Sequence, residues 1–295
     1  MPKLEQFLQT HDYPCWCGQT SSKLFCKQMF GRRHFAALEC AACGTHRVLP
    51  KALPNQNAAE TLYNEYEGPD VCDADRDRVG NKMLGRLAAT EITFAKGKRV
   101  LDVGCGSGVL VERIGQQFGC ACQGIDVDRR RIEKARALSK FASFECGLFD
   151  SASVKEPYDV LISSAVIEHV TDPVDFLRQL RMALAEGGSL FLLTPNASSL
   201  NYRLLRSWWR ELLSIGEHIY LFTPESLEQC AKKAGFELVK AASDFDWYWP
   251  RMHFNGLRPS AITLWGCYRE LVKHVAARLA SPVTGDILYA HFRKV

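Results

Sequence analysis

The chain has 295 residues, a length that suits one large domain with an appendage or two domains. Its 47% hydrophobic and 24% charged residues are typical of a folded globular protein. A net charge of +4 is too mildly basic to indicate a nucleic-acid partner, and no apolar run is long enough for a transmembrane helix. The first residues lack the apolar core of a signal peptide, and twelve cysteines without such a signal suggest a reducing compartment. We therefore expect a cytoplasmic protein.

Two pairs of cysteines stand near the N-terminus, Cys15 with Cys17 and Cys40 with Cys43. A glycine follows each pair, and two short strands are predicted between the pairs. The spacing is close to that of a zinc ribbon, although the first pair has one intervening residue instead of two. Residues 1–50 are therefore predicted to form a small zinc-ribbon-like module in which these cysteines hold a structural zinc.

The fourth ligand of this zinc stays open on the sequence alone. Cys17, Cys40 and Cys43 are common to every possible ligand set. The fourth ligand can be Cys15, His11 or Cys26. The alternative is four free thiols in a small packed module.

A change of pattern separates this module from the rest of the chain. Residues 51–72 are polar, with proline and glycine near the ends, and predict a linker. From residue 73 onward a helical pattern gives way to strands that alternate with helices, which predicts crossover connections and a sheet covered on both faces. We predict an α/β protein with a Rossmann-like, doubly wound, mostly parallel sheet. This domain would span 73–295, with its core at 98–240 and a C-terminal helix and strand in 241–295.

Three glycines stand two residues apart where the first of these strands ends and a helix begins. Gly104, Gly106 and Gly108 allow a tight turn and let a ligand approach without a Cβ in the way. Asp126 ends the next predicted strand, where a carboxylate can accept hydrogen bonds from both hydroxyls of a ribose. The loop lacks the dinucleotide spacing G-x-G-x-x-G and any Gly-Lys-Ser/Thr, so it predicts a nucleoside ligand of another kind.

The pair LDVGCGSG and GIDVD closely resembles the class I S-adenosylmethionine-dependent methyltransferases. The resemblance continues through YDVLISSAVIEHVTDP, LAEGGSLFLLTPN and HIYLFTPESLEQCAKKAGFELV, and so covers roughly residues 75–240. It implies S-adenosylmethionine as the cofactor and methyl transfer as the activity. In such an enzyme Asp102 would lie near the methionine amino group, the glycine loop would pass beneath the cofactor, and Asp126 would hold the ribose. It also implies cofactor contacts at four further positions, Cys105, Val127, Leu148 and Ser164.

An acid and two histidines follow this part of the chain. Glu168 and His169 come after a predicted strand, and His218 precedes a predicted helix; this order is similar to that of the ubiquinone-biosynthesis O-methyltransferases. In some of those enzymes such residues surround a divalent metal. Ala165 stands where they have another carboxylate, which leaves a poor set for magnesium. Three alternatives stay open: a histidine acts as general base, a metal acts, or Glu168 and His169 only fix the loop by hydrogen bonds.

The stretch NYRLLRSWWRELL, residues 201–213, predicts an amphipathic helix. It can be a substrate lid, a core helix or a helix that touches a membrane surface. Its apolar face is predicted to consist of Leu204, Leu205, Trp208, Trp209 and Leu212.

These patterns together predict O-methylation of a small molecule or of a glycan or lipid precursor. An RNA methyltransferase is the first alternative, because a zinc ribbon can bind RNA, but the mild charge and the lack of an N/D-P-P-Y/F motif argue against it. The second alternative is a cofactor-binding interaction protein without activity, against which the intact glycines and Asp126 argue.

Overall fold

The computed structural model describes residues 12–30, 33–49, 73–206, 209, 218–245 and 283–295. They divide into two compact units. We call one the sheet unit; its described residues lie within 73–194, 228–240 and 289–295. We call the other the cysteine unit; its described residues lie within 12–49, 195–227 and 241–288.

This division differs from the predicted split at residues 50 and 73. The reason is that residues 195–227 pair and pack with the N-terminal strands, a long-range contact that composition and periodicity do not reveal. The predicted linker, residues 51–72, lies outside the described residues, as does the predicted C-terminal helix.

The helices and strands are numbered in chain order. They are β1 Ser22–Phe30, β2 Arg33–Cys40, β3 His46–Leu49, α1 Asp73–Ala89, β4 Arg99–Val103, α2 Val109–Phe118, β5 Ala121–Asp126, α3 Arg129–Leu138, β6 Ala142–Cys146, β7 Tyr158–Ser164, α4 Pro173–Ala183, β8 Leu184–Pro195, α5 Leu200–Leu205, β9 Tyr220–Leu221, α6 Pro224–Lys233, β10 Phe236–Asp244 and β11 Ile287–Lys294. Short 3-10 helices occupy Ser151–Ser153 and Ile167–His169.

The large sheet has seven strands in the order β10-β11-β8-β7-β4-β5-β6. The pairs β4–β5, β5–β6, β4–β7 and β7–β8 are parallel, which confirms the predicted mostly parallel sheet. Fully buried apolar side chains on the helices cover it, among them Ile114 of α2, Ile132 of α3 and Leu177 of α4. The helices begin where the sequence has cap residues: the Asp128 carboxylate accepts from two backbone N–H groups at the start of α3.

Strand β4 lies between β5 and β7. The chain continues from β4 to β5 and β6 on one side, and then crosses to β7 and β8 on the other side. In open parallel sheets, ligands bind beyond the carboxyl ends of the strands at such a switch point. The glycine loop follows β4 directly, so the fold places it at the position where a ligand is expected.

The cysteine unit contains a four-stranded antiparallel sheet in the order β1-β2-β3-β9. The first two strands match predicted ones. The short strands β3 and β9 carry no alternating pattern because every residue in them is buried, so the sequence did not signal them.

Within the described residues, the helix predicted at 201–213 is found only as α5; residues 207, 208 and 210–213, with Trp208 and Leu212 of the predicted apolar face, lie outside them. Helix α5 ends at Leu205, because Arg206 takes a left-handed φ of 47° and its N–H bonds back to the Tyr202 carbonyl oxygen. Trp209 is buried, whereas Leu204 is 60% exposed, so the two do not share one apolar face. Among the helices of the described residues, none has the length and apolar character needed to cross a membrane.

Candidate cofactor and catalytic site

The turn between β4 and α2 requires glycine at two positions. Gly104 and Gly108 have φ of 80° and 72°, in the left-handed region that other residues rarely adopt. A Cβ on Gly104 would overlap the Val166 side chain, and one on Gly108 would overlap the ring of Phe144. The loop is held to β5 by the N–H groups of Gly104 and Cys105, which both donate to the Ile125 carbonyl oxygen at 2.8 and 3.1 Å.

Asp126, at the end of β5, is fixed by two backbone donors. The N–H of Gly106 lies 2.7 Å from Asp126 Oδ2, and the N–H of Asp128 lies 2.9 Å from Oδ1. Each carboxylate oxygen accepts one of these bonds and retains a further acceptor site. The side chain is half-buried. It is therefore preorganised to accept two more hydrogen bonds, as the hydroxyls of a ribose would offer.

Asp102, on β4, is a buried carboxylate with an unmet hydrogen bond. It is 4% exposed, and its Oδ1 has no partner among the described residues. Burial, together with the charge of Asp126, raises the pKa of Asp102 to about 7. A buried acceptor without a partner costs about 1–3 kcal/mol. A cationic donor such as an amino group would satisfy this oxygen and favour the ionised form.

The remaining predicted cofactor residues follow the same edge of the sheet. Cys105 is half-buried in the glycine loop, Val127 comes directly after β5, and Ser164 ends β7. Leu148 lies just beyond β6 and is 70% exposed, which is unusual for a large apolar side chain. The residues present thus fit S-adenosylmethionine: a turn that cannot carry a Cβ, an orphaned buried carboxylate oxygen, and a fixed acceptor for hydroxyls. The individual roles stay predictions.

Arg76, on α1, is a candidate that the sequence analysis missed. Its Nη2 donates to the carbonyl oxygen of Ser107 in the glycine loop at 3.5 Å. Its Nη1 is buried and has no partner among the described residues. A guanidinium in this position can bind a carboxylate. No sequence signal distinguished it, because arginine also stands at positions 78 and 86 of the same helix.

Glu168 lies in the 3-10 helix that follows β7. It is 1% exposed, and Thr194 Oγ1 donates to its Oε2 at 3.0 Å. Burial raises the pKa of Glu168 to about 7. Such a carboxylate can take up or release a proton near neutral pH. The turn before it is constrained, because Ala165 has a φ of 56° and its N–H donates to the Leu193 carbonyl oxygen at 2.9 Å.

The two predicted histidines belong to different units. His169 ends the 3-10 helix of the sheet unit and is half-buried, with its backbone N–H 2.9 Å from the Val166 carbonyl oxygen. His218 belongs to the cysteine unit, precedes β9 and is 7% exposed. Their catalytic roles, and the alternative of a divalent metal, stay predictions.

The four predicted zinc ligands lie together in the cysteine unit. The sulfurs of Cys15, Cys17, Cys40 and Cys43 are all within 4.8 Å of one another, and none of these residues forms a disulfide. The Sγ atoms of Cys15 and Cys43, and those of Cys17 and Cys40, are 3.6 Å apart. Four thiolates around one zinc at about 2.3 Å stand roughly 3.8 Å from each other, whereas a disulfide is about 2.0 Å long. The thiols therefore fit a tetrahedral zinc, with Cys15 at the fourth corner.

Neighbouring groups hold this cluster in shape. Cys43 Sγ lies 3.3 Å from Thr45 Oγ1, which also accepts a 2.8 Å hydrogen bond from the indole N–H of Trp16. The hydrogen bond with Cys15 lowers the pKa of the Cys43 thiol, which favours a thiolate at this one sulfur. Cys26, an alternative fourth ligand, packs instead against Val48 and other apolar residues of the unit.

Known proteins resemble this chain in sequence. The family model described as "Methyltransferase domain" matches residues 67–241. The human mitochondrial ubiquinone biosynthesis O-methyltransferase is 32% identical over 171 residues, which are 52% of this chain and 46% of that enzyme. The mouse enzyme is 31% identical over 220 residues, 66% of this chain and 58% of the relative. The matched region thus spans about half the length of these curated relatives.

Solved structures share the fold. A complex of the Haloferax volcanii Trm112 methyltransferase activator with a chain assigned as a methyltransferase aligns with a TM-score of 0.52, 16% identity, and coverage of 76% of this chain and 95% of that one. A chain assigned as a sarcosine dimethylglycine methyltransferase from Galdieria sulphuraria aligns with a TM-score of 0.51, 15% identity, and coverage of 74% and 84%. The fold, the glycine loop and the family match agree, and the chain belongs to the methyltransferase domain family as a class I S-adenosylmethionine-dependent methyltransferase.

Proposed function

We propose that this protein transfers the methyl group of S-adenosylmethionine to a hydroxyl oxygen of a small molecule or of a glycan or lipid precursor. The observation that carries the proposal is the orphaned, buried oxygen of Asp102 beside a glycine turn and the fixed Asp126 carboxylate. The names of the curated relatives, ubiquinone biosynthesis O-methyltransferases, support oxygen as the acceptor atom.

Each cofactor group has a matching side chain in the sheet unit. Asp126 would accept from the ribose hydroxyls, Asp102 would pair with the amino group, and Arg76 would pair with the carboxylate. When bound, the cofactor supplies a methyl group that its sulfonium already activates for in-line displacement. The residues of this chain then have to align the acceptor oxygen and remove its proton.

Glu168 is the proposed proton acceptor. As the acceptor oxygen is methylated, its proton would pass to the Glu168 carboxylate, and the electron pair of the bond to the transferred methyl group would stay with the cofactor. The pKa of about 7 lets the carboxylate accept this proton near neutral pH and release it afterwards. The hydrogen bond from Thr194 keeps one carboxylate oxygen in place.

The proposal is tested with cofactor labelled in the methyl group. Purified protein, labelled S-adenosylmethionine and cell extract are incubated, and labelled products are separated and identified by mass spectrometry. We expect label in a small molecule or lipid fraction, in a linkage that resists mild base, as an ether does. Label that ribonuclease releases would favour the RNA alternative. Cofactor binding without any labelled product would favour the interaction protein.

The histidines are tested by separate substitutions. If one is the general base, His169→Ala or His218→Ala should retain cofactor binding and lose about 10²–10⁴ in turnover. If a metal acts, a chelator should abolish the activity and divalent ions should restore it. Unchanged turnover in both variants and with chelator would leave Glu168 as the proton acceptor.

We further propose that Cys15, Cys17, Cys40 and Cys43 hold one structural zinc, as their sulfur separations support. All four positions are taken by thiols, so no position is open for a substrate. None of the ten described cysteines forms a disulfide, which supports the proposal that the protein works in a reducing compartment such as the cytoplasm.

A further inference from the structure

One face of the large sheet carries a cavity that the proposed cofactor site does not use. The strand register places Leu101 of β4 beside Gln123 of β5, and Ile125 lies two residues further along β5, so all three share this face. The connections from β4 to β5 and from β5 to β6 each contain an α-helix, whereas residues 147–157, between β6 and β7, contain only a 3-10 helix. A cavity of about 230 Å³ lies between the strands and this connection, where a crossover helix would otherwise pack.

The floor of this cavity is apolar. Leu101 and Ile125 line it from the sheet, and Phe149 and Val154 line it from the connection. Its volume is below the range of about 300–1,000 Å³ that is typical of sites for drug-sized ligands. A compound with a single ring therefore suits it, because the ring would bury its apolar surface against these side chains.

Arg99, at the start of β4, lines the same cavity and provides a fixed donor there. Its Nε is buried and has no hydrogen-bond partner among the described residues. Its Nη1 and Nη2 donate to the carboxylate and to the carbonyl oxygen of Glu156 at 2.8 and 3.2 Å, and its guanidinium stands 4.9 Å from the centre of the Tyr158 ring. The guanidinium is thus held in place, and a carboxylate oxygen would satisfy the remaining N–H group.

The other polar residues of the lining define the charge of the ligand. Gln123 Oε1 accepts from the Tyr158 hydroxyl at 2.7 Å, and Gln123 Nε2 donates to Glu145 Oε2 at 3.4 Å, which leaves the second Nε2 hydrogen for a ligand. Lys155, which is exposed, adds a second positive charge beside that of Arg99, and Glu145 adds a negative one. This balance favours a ligand with one negative charge over a phosphate dianion.

The cavity adjoins two stretches that carry predicted cofactor contacts. Phe149 directly follows Leu148, and Ile125 directly precedes Asp126. The N–H of Gly147 donates to the Asp126 carbonyl oxygen at 3.0 Å and so ties the two stretches together. A ligand in the cavity would restrain both, and a cofactor that binds to restrained residues has less ordering to pay for.

We propose that this cavity is an effector site for a small ring compound with one carboxylate, and that its occupancy raises the affinity for S-adenosylmethionine. The site itself does not depend on the proposed methyl acceptor. Its effect on the cofactor rests on the cofactor contacts given under the proposed function.

Benzoate is the probe, because it joins one ring to one carboxylate. The full-length protein is labelled in its isoleucine δ1 methyl groups and titrated with benzoate at constant ionic strength, and the methyl signals are followed by NMR. Ile125 reports on the cavity, Ile167 reports on the 3-10 helix of Glu168, and Ile114 and Ile132 are controls on α2 and α3. We expect the Ile125 signal alone to shift, with a dissociation constant in the millimolar range that suits so small a ligand.

Two variants test the recognition while the proposed cofactor residues stay intact. Arg99→Met removes the guanidinium and should weaken benzoate binding at least about tenfold, since a hydrogen bond to a charged group is lost. Val154→Trp keeps Arg99 but fills the cavity, and should abolish the shift of Ile125. Arg113→Met is the matched control, because its guanidinium pairs with Asp77 outside the cavity, and it should bind benzoate like the wild type.

The effect on the cofactor is measured by calorimetric titration of S-adenosylmethionine with saturating benzoate or with an equal concentration of chloride. Benzoate should raise the cofactor affinity at least about fivefold in the wild type and in Arg113→Met, and should leave it unchanged in Arg99→Met and Val154→Trp. By linkage, the cofactor should raise the affinity for benzoate by the same factor.

Four outcomes would overturn the proposal: no shift of Ile125, a shift of Ile167 in its place, equal binding of benzoate by Arg99→Met and Val154→Trp, or a cofactor affinity that benzoate does not change. Equal binding of benzamidine, which has the same ring and the opposite charge, would also overturn it. A wild type that binds no S-adenosylmethionine would instead reject the proposed function, and the methyl signals would still decide whether the cavity binds a carboxylate.

Discussion

Asp102 and Asp126 are two carboxylates of one site with opposite surroundings. Backbone N–H groups bond both oxygens of Asp126, whereas Asp102 is buried with one oxygen unpartnered among the described residues. Burial therefore raises the pKa of Asp102 to about 7. The Asp126 carboxylate can therefore accept hydrogen bonds from neutral hydroxyls, and the Asp102 carboxylate can pair with a cation.

Cofactor affinity should consequently depend on pH through Asp102. Below pH 7 the protonated carboxyl cannot pair with the amino group, so affinity should fall by up to about tenfold per pH unit. Asp102→Asn should bind weakly with little dependence on pH between 5.5 and 7.5, whereas Glu145→Gln, an exposed control, should behave like the wild type. Calorimetry at several pH values checks this. A wild-type affinity that is constant over the range would contradict the assignment.

Glu168→Gln tests the proposed proton acceptor. The amide keeps the volume and can still accept the hydrogen bond from Thr194, but it cannot take a proton. Turnover should fall by about 10²–10⁴ with cofactor affinity unchanged, and the wild-type rate should rise with pH through about 7. Glu186→Gln, an exposed partner of Lys294, is the control. Full activity in Glu168→Gln would reduce Glu168 to a residue that only fixes the loop.

The same residue should affect stability in a pH-dependent way. Because burial raises the pKa of Glu168 from 4.5 to about 7, its protonated form favours the folded state, and that contribution is lost as pH rises from about 4.5 through 7. Relative to Glu168→Gln, the wild type should therefore lose free energy of unfolding between pH 5 and pH 8. Urea unfolding at pH 5 and pH 8 measures this free energy. An equal change in the wild type and in Glu168→Gln would contradict the prediction.

At the scale of elements, local signals predicted the sheet unit well. Helix α3, for example, begins directly after Asp128, whose carboxylate caps its first turn, so a signal of its start lies in the adjacent sequence. Strand β9 has only two residues and pairs with β3. Trp209 does not continue the predicted helix, and its indole N–H donates to the Asp286 carboxylate at 2.9 Å. Partners distant in sequence decide both, and no local pattern carries that information. Arg76 was missed for the same reason, since its candidate role comes from the loop beside it.

The zinc module is an element that elemental analysis can test. The purified protein should carry close to one equivalent of zinc, and Cys40→Ser with Cys43→Ser should remove it and unfold the first fifty residues. Cys120→Ser, outside the cluster, should retain the metal. A metal-free wild type with a folded module would contradict the proposed site.

At the scale of the whole molecule, each compact unit is built from stretches that are not consecutive along the chain. The sequence suggested an appendage followed by one domain, yet residues 195–227 group with the N-terminal strands and not with the sheet from which they emerge.

The measurement that tests the account most directly is calorimetric titration of S-adenosylmethionine into the wild type, Asp126→Ala and the exposed control Glu145→Ala. We expect the wild type and the control to bind alike, and Asp126→Ala to bind more weakly by about 1.5–3 kcal/mol, because two hydrogen bonds to a charged group are lost. A wild type that does not bind, or an Asp126→Ala variant with unchanged affinity, would contradict the cofactor site on which the proposed function depends.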